Sequence, residues 1–312
     1  MRPLIELREK LEKAEDALKH AKKKKEKQDL TLLLNDLRER IGSILLADGD
    51  YGNSFAIYQS LSWKTHGEQK YHGICATLIE MERYNVAGKL LHRGLKRFPE
   101  SPRLLNAMGV LHRRLGFSNA ALQYIEKALL QDPENCATLF NKANVLYSLS
   151  LYEEAISIYR KCSEKNPDEP YHFAMIGRCY LGMGYPEKAV KYFKSALDLD
   201  HLPEAYAGLY WAYKGMGLSN EAREIAEKGL RRFPHEDPCL YLNLANSYYN
   251  RGWLDEAKEV LQRGLIKFPG DEDMEKYLKE IEDDSDDPKK GSNLPILLAI
   301  ILNNIRQYRK EY

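Results

Sequence analysis

Three basic strings, RGLKRFP at 93–99, KGLRRFP at 228–234 and RGLIKFP at 263–269, are the first places where this chain could do chemistry. Clustered Lys and Arg can hold a phosphate, but at the C-terminal end of a helix the same residues complement the helix dipole with no ligand at all. Recurrence at three places favours the second reading. The remaining reactive residue types do not gather into a catalytic group. The eight histidines contain no HExxH pair, and there is no Walker-type glycine loop and no GxSxG elbow. Five cysteines, Cys75, Cys136, Cys162, Cys179 and Cys239, stand far apart without a CxxC pair, which points to reduced thiols. Cys162 and Cys179 fall at apolar positions, where a thiol behaves as a small hydrophobe. No catalytic residue, metal ligand or cofactor is expected, and the chain does not read as an enzyme.

Composition narrows the alternatives. Lys and Arg number 47 against 46 Asp and Glu, so the whole chain has no field that would draw in nucleic acid or a membrane surface. The start, MRPLIELREKLEKAED, alternates charge with apolar residues and has no apolar h-region. The longest apolar run, LPILLAIIL at 294–302, is about half of what a bilayer-crossing helix needs. A cytoplasmic protein is expected.

The basic strings belong to a longer pattern that must position whatever the chain presents. Aligned on their prolines they give Pro99, Pro133, Pro167, Pro234 and Pro269, with His201 filling the gap, in steps of 34, 34, 34, 33 and 35 residues. Twelve residues earlier stand Ala87, Ala121, Ala155, Ala189, Ala222 and Ala257, with Ser54 one period upstream. Twelve earlier again are Gly42, Cys75, Gly109, Ala143, Gly177, Tyr210 and Ala245, small in all but one case. Each period reads as two amphipathic helices joined by a turn, with the small residues where the pair crosses closely. The proline stops the second helix. Gly94, Gly229 and Gly264, inside that helix, cost about 1 kcal/mol against alanine, and close packing is the expected compensation.

A helix-turn-helix period of 34 with these columns resembles the tetratricopeptide repeat family. The resemblance covers 35–271 as units 35–67, 68–101, 102–135, 136–169, 170–202, 203–237 and 238–271. It is weakest in the first unit, where Ser54 and His66 replace alanine and proline. It implies an all-α fold, an α-solenoid coiled as a right-handed superhelix whose first helices line a concave groove. Carried over position by position, the family's ligand contacts fall on Arg103, Asn106, Arg113, Phe140, Asn141, Asn144, Tyr147, Tyr171, Arg178, Trp211, Lys214, Asn243, Asn246 and Tyr249. His72, Glu80, Arg114, Glu204 and Asn250 occupy equivalent places. Asparagine carries donor and acceptor together and so can hold an extended main chain. Asn144 and Asn246 have a plainer reading, as groups that satisfy the backbone between helices, and Trp211 as inter-repeat core. The arginines outnumber Glu80 and Glu204, which makes an acidic peptide the expected ligand. Phe140 and Leu242 stand where a chaperone-tail clamp of this family needs lysine, so that ligand is not expected.

Leu4, Leu7, Leu11, Ala14, Leu18 and Ala21 form a heptad-like seam on an N-terminal helical extension at 1–34, to be folded on the first repeat or used for dimerisation. A capping helix is expected at 272–282 with Met274, Leu278 and Ile281 on one face. An acidic flexible linker follows at 283–293, then an apolar helix at 294–312. The expected function is a non-enzymatic adaptor that binds an extended, acidic segment of a protein partner. The alternative is a scaffold acting through its terminal helices, by homo-oligomerisation or by membrane contact of the C-terminal helix. No specific nucleic acid is expected as a partner.

Overall fold

The computed structural model describes residues 2–286, so the apolar helix expected at 294–312 lies outside the described residues. Sixteen α-helices and no strand occur among the described residues. Two longer helices, α1 (Arg2–His20) and α2 (Lys24–Ala47), lead into α3 (Tyr51–Ser60). First and second repeat helices then alternate through α4 (Gly67–Glu80), α5 (Tyr84–Arg97), α6 (Pro102–Arg114), α7 (Ser118–Gln131), α8 (Cys136–Ser148) and α9 (Tyr152–Lys165). The alternation continues with α10 (Pro170–Gly182), α11 (Pro186–Leu199), α12 (Pro203–Gly215), α13 (Ser219–Arg232), α14 (Pro238–Tyr249) and α15 (Leu254–Lys267), and α16 (Glu272–Asp286) closes it. The chain is an all-α repeat array of the solenoid type. Its contacts divide it into two compact units between Asn141 and Lys142, inside α8.

The helices start where the sequence offers a pre-set φ or a cap. Pro102, Pro170, Pro203 and Pro238 each stand in the first turn of a first helix, where no amide donor is needed. The Ser101 hydroxyl accepts from the Leu104 amide at 3.2 Å, and the Asp237 carboxylate from the Cys239 amide at 2.8 Å. Between first and second helix the chain passes through the left-handed region at Gly116, Gly184, Gly217 and Gly252. Two repeats do this without glycine, at Glu82 (φ 57°) and Ser150 (φ 62°).

The two small columns meet. Ala87, Ala121, Ala155, Ala189 and Ala257 have no exposed surface and Ala222 has 2%. A Cβ on Gly109 would stand 2.4 Å from Ile125 and 3.1 Å from the Ala121 carbonyl oxygen. In the first repeat Ser54 takes alanine's place because its hydroxyl donates to the Gly42 carbonyl at 2.9 Å. Tyr210, the one large residue of its column, joins a core that holds the small Ala222 and Ala226 and donates its hydroxyl to Asn246 at 3.0 Å. The helix-interior glycines are explained by contact, as expected. A Cβ on Gly229 would lie 2.9 Å from the Tyr206 Cβ, and one on Gly264 would lie 2.5 Å from the Met274 sulfur.

The ends of the array are closed within each unit. The α1 seam of Leu4, Leu7, Leu11, Ala14 and Leu18 packs on Leu34, Leu37, Ile41 and Leu45 of α2, and Arg38 pairs with Glu15 at 2.9 Å. Where His66 replaces the proline, Lys70 takes over the stop: its buried ammonium donates to the Gln59 and Leu61 carbonyls and lies 4.6 Å from the Trp63 ring centre. Burial pushes the Lys70 pKa down. At the other end Met274, Tyr277 and Ile281 of α16 are sealed into the last core. This helix continues to Asp286, beyond the start expected for the acidic linker at 283.

Two substitutions test this packing in opposite directions. Ser150→Gly relieves a left-handed non-glycine residue and is expected to stabilise by about 0.5–1 kcal/mol. Gly229→Ala gains about 1 kcal/mol of helix propensity but overpacks Tyr206, for a net loss of about 1 kcal/mol. Denaturant midpoints at unchanged slope read both; a Gly229→Ala protein more stable than the parent would contradict the close contact.

Candidate partner-binding surface

The residues expected to contact a ligand sit on first helices, and the structure sorts them by what they already hold. In the unit before Lys142, exposed Arg103 pairs with Glu39 at 2.8 Å and Arg114 pairs with Glu80 at 3.0 Å. Arg113 is buried. Half-buried Asn141 donates its amide to the Asn106 oxygen at 3.1 Å, one repeat away, and Phe140 is half-buried beside it in sequence. His72, on α4, is held neutral: burial, and then the positive charge of Arg103, push its pKa down to about 4.

In the second unit the asparagines divide. Asn144 turns inward and accepts from the Tyr159 hydroxyl at 2.6 Å. The Asn246 oxygen is a hub that accepts from Tyr210, from Lys214 and from Asn250 at 2.7 Å, while Asn246 itself is buried. Burial pushes the Lys214 pKa down to about 8, and its ammonium lies 5.1 Å from the Trp211 ring centre. Tyr249 is half-buried, its ring 5.9 Å from that of Tyr277 on the closing helix, and Tyr171 is exposed.

Asn243 differs from these. It is 4% exposed, and its amide nitrogen has no hydrogen-bond partner. It lines a cavity of about 410 Å³ together with Tyr147, Tyr152, Arg178, Leu181, Glu204, Ala207, Trp211 and Leu242. These side chains come mainly from four successive first helices, α8, α10, α12 and α14, so the repeat period itself brings them to one place. The Arg178 guanidinium lies 5.3 Å from the Tyr147 ring centre, and the Tyr147 and Tyr152 rings are 5.5 Å apart. Four of the expected contact residues therefore share the cavity: Tyr147, Arg178, Trp211 and Asn243. Asn144, Tyr171, Lys214, Asn246 and Tyr249 are not among its lining residues.

Sequence reasoning missed Tyr152, Leu181 and Cys239, which also line the cavity. Tyr152 opens a second helix, outside the positions from which contacts were carried over. The charge reading also needs adjustment. Arg103 is met by Glu39, a carboxylate outside the positions counted from the sequence, which lessens the positive excess, while Arg114 pairs with Glu80, already in that count. Burial pushes the Cys75 and Cys179 thiols up to about 12, so both are poor nucleophiles near neutral pH. Among the described residues no helix is long and apolar enough to cross a membrane.

Comparison with known proteins places this architecture. Sequence profiles described as tetratricopeptide repeat match residues 106–170, 173–200 and 215–280, about half the chain together. The chain is a tetratricopeptide repeat protein. Among relatives, this repeat protein is 31% identical over 105 residues to Cell division cycle protein 27 homolog A of Arabidopsis thaliana, a match of 34% of this chain and 15% of the relative. It is 23% identical over 130 residues to Anaphase-promoting complex subunit 3 of Schizosaccharomyces pombe, covering 42% of this chain and 20% of that one. The matches thus span a fifth or less of those relatives' lengths. A structure described as the APC/C hetero-tetramer Cut9-Hcn1 superposes with a TM-score of 0.65 at 14% identity, over 82% of this chain and 52% of that one. That likeness is one of fold.

The half-buried His72 gives a pH prediction. The folded-state pKa of His72 lies below the unfolded value of about 6.5, so the unfolded chain binds the extra proton first as pH falls. The His72 contribution is thus intact above about pH 6.5 and lost progressively towards about pH 4. Denaturant unfolding at several pH values should show a shallower acid loss for His72→Gln than for the parent; identical slopes would refute the assignment.

Proposed function

We propose that this repeat protein is a non-enzymatic adaptor that takes an extended, acidic segment of a partner protein on the inner face formed by its first helices. The observation that carries the reading is the convergence of Tyr147, Arg178, Trp211 and Asn243, from four successive repeats, on one cavity. Aromatic walls accept side chains, Asn243 supplies an amide donor for a main-chain carbonyl, and Arg178 supplies a charge for a carboxylate. A preorganised array leaves most of the ordering cost to the partner, which gives modest and reversible affinity. The relatives named as a cell division cycle protein and an anaphase-promoting complex subunit support a role within a larger protein assembly. The scaffold alternative, acting through terminal helices, has less support at the N-terminus, because α2 already covers the α1 seam.

Lys214 makes the acidic preference testable. With a pKa of about 8, its positive charge is present at neutral pH and lost as pH rises through that value. Fluorescence anisotropy with a labelled Asp- and Glu-rich peptide should show weaker binding at about pH 9 than at about pH 7, with Lys214→Met removing most of that difference. Arg178→Ala should weaken binding by about tenfold, about 1.4 kcal/mol. Equal affinity for the matching Asn and Gln peptide would overturn the acidic preference. Unchanged affinity in the Arg178 variant would overturn the location.

A further inference from the structure

We propose that the cavity between α10, α12 and α14 is the seat of the chain's own segment Pro295–Leu302, which acts there as an internal competitor of the partner. This inference rests on the inner-face reading above.

Three observations point to this occupant. First, the cavity asks for an apolar segment that also brings a main-chain acceptor. Tyr147, Leu181, Trp211 and Leu242 form apolar wall, while the buried Asn243 amide nitrogen has no hydrogen-bond partner. An extended apolar peptide satisfies both at once, since its side chains fill the walls and one of its carbonyls accepts from Asn243. Second, the sequence PILLAIIL at 295–302 has that chemistry: every residue is apolar and none is charged. A run of this kind gains by leaving water, and the cavity of about 410 Å³ on the first helices is walled mainly by apolar side chains, with Arg178 and Glu204 as its charged part. Third, the segment is within reach. Helix α16 packs on α15 and joins the core that α14 and α15 share through Met274, Tyr277 and Ile281, so the chain leaves the array at its last repeat. The residues between Asp286 and Leu294 can span about 24 Å when extended. Neighbouring helices are about 8–10 Å apart.

The cavity contains its own reporter. Cys239 lines it, whereas Cys136, also half-buried, belongs to the other unit and serves as an internal reference. Alkylation of the full chain by iodoacetamide, resolved by site with mass spectrometry, should be slow at Cys239. In a full chain carrying Leu297→Gln and Ile300→Gln the rate at Cys239 should rise at least about fivefold, with Cys136 unchanged. A synthetic peptide of residues 293–305 added to that variant should restore the protection. The milder single substitution Ile300→Asn should give an intermediate rate, and matching circular dichroism of all forms confirms that the array is intact.

Equal Cys239 rates in parent and variants would overturn the proposal. Protection that falls on dilution of the parent chain would also overturn it, because it would assign the seat to the tail of a second copy. Binding of the Asp- and Glu-rich peptide to the parent and to Arg178→Ala tests the adaptor function independently. If Arg178→Ala weakens binding while Cys239 ignores the tail substitutions, the inner face binds partners and the internal competitor is wrong.

Discussion

Everything in this chain depends on the close approach of two helices at a pair of small residues spaced twelve apart. Where Gly109 faces Ala121 and Ile125 there is no room for another methyl group, and the equivalent alanines are almost fully buried through the array. That contact fixes the angle and depth at which the helices of each repeat pack. Because the spacing recurs every 34 residues or so, the first helices present corresponding positions one after another. A cavity lined from α8, α10, α12 and α14 is a direct product of this repetition.

The same constraint explains the departures from the pattern. Tyr210 is tolerated in a small-residue column because the core it joins holds the small Ala222 and Ala226 and Asn246 takes its hydroxyl. Ser54 replaces alanine where its hydroxyl finds the Gly42 carbonyl. Lys70 replaces a proline stop by binding the last carbonyls near α3. In each case a larger or more polar side chain is accepted only with a hydrogen bond that satisfies it, as burial requires.

The fold was legible in the sequence because period, small columns and proline stops are local and redundant: losing one column would have left the others readable. The candidate site was legible only in part. Tyr147, Arg178, Trp211 and Asn243 line one cavity, but Asn144 and Asn246 turn to Tyr159 and Tyr210. A first-helix asparagine looks the same in sequence whether its amide turns to the groove or to the neighbouring helix. The difference lies in partners fifteen or more residues away, Tyr159 and Tyr210, whose hydroxyls have no other mark in the sequence. The charge count failed in part for a similar reason. Glu39, which meets Arg103, lies 64 residues from it and on a helix outside the positions counted.

The proposed working surface is the inner face of the second unit. Hydrogen exchange of the full chain, with and without a saturating Asp- and Glu-rich peptide, tests it most directly, since exchange reports protection helix by helix. Protection concentrated in α10, α12 and α14, with α9, α11 and α13 unchanged, is the predicted result. Protection of the second helices alone, or of none, would contradict it.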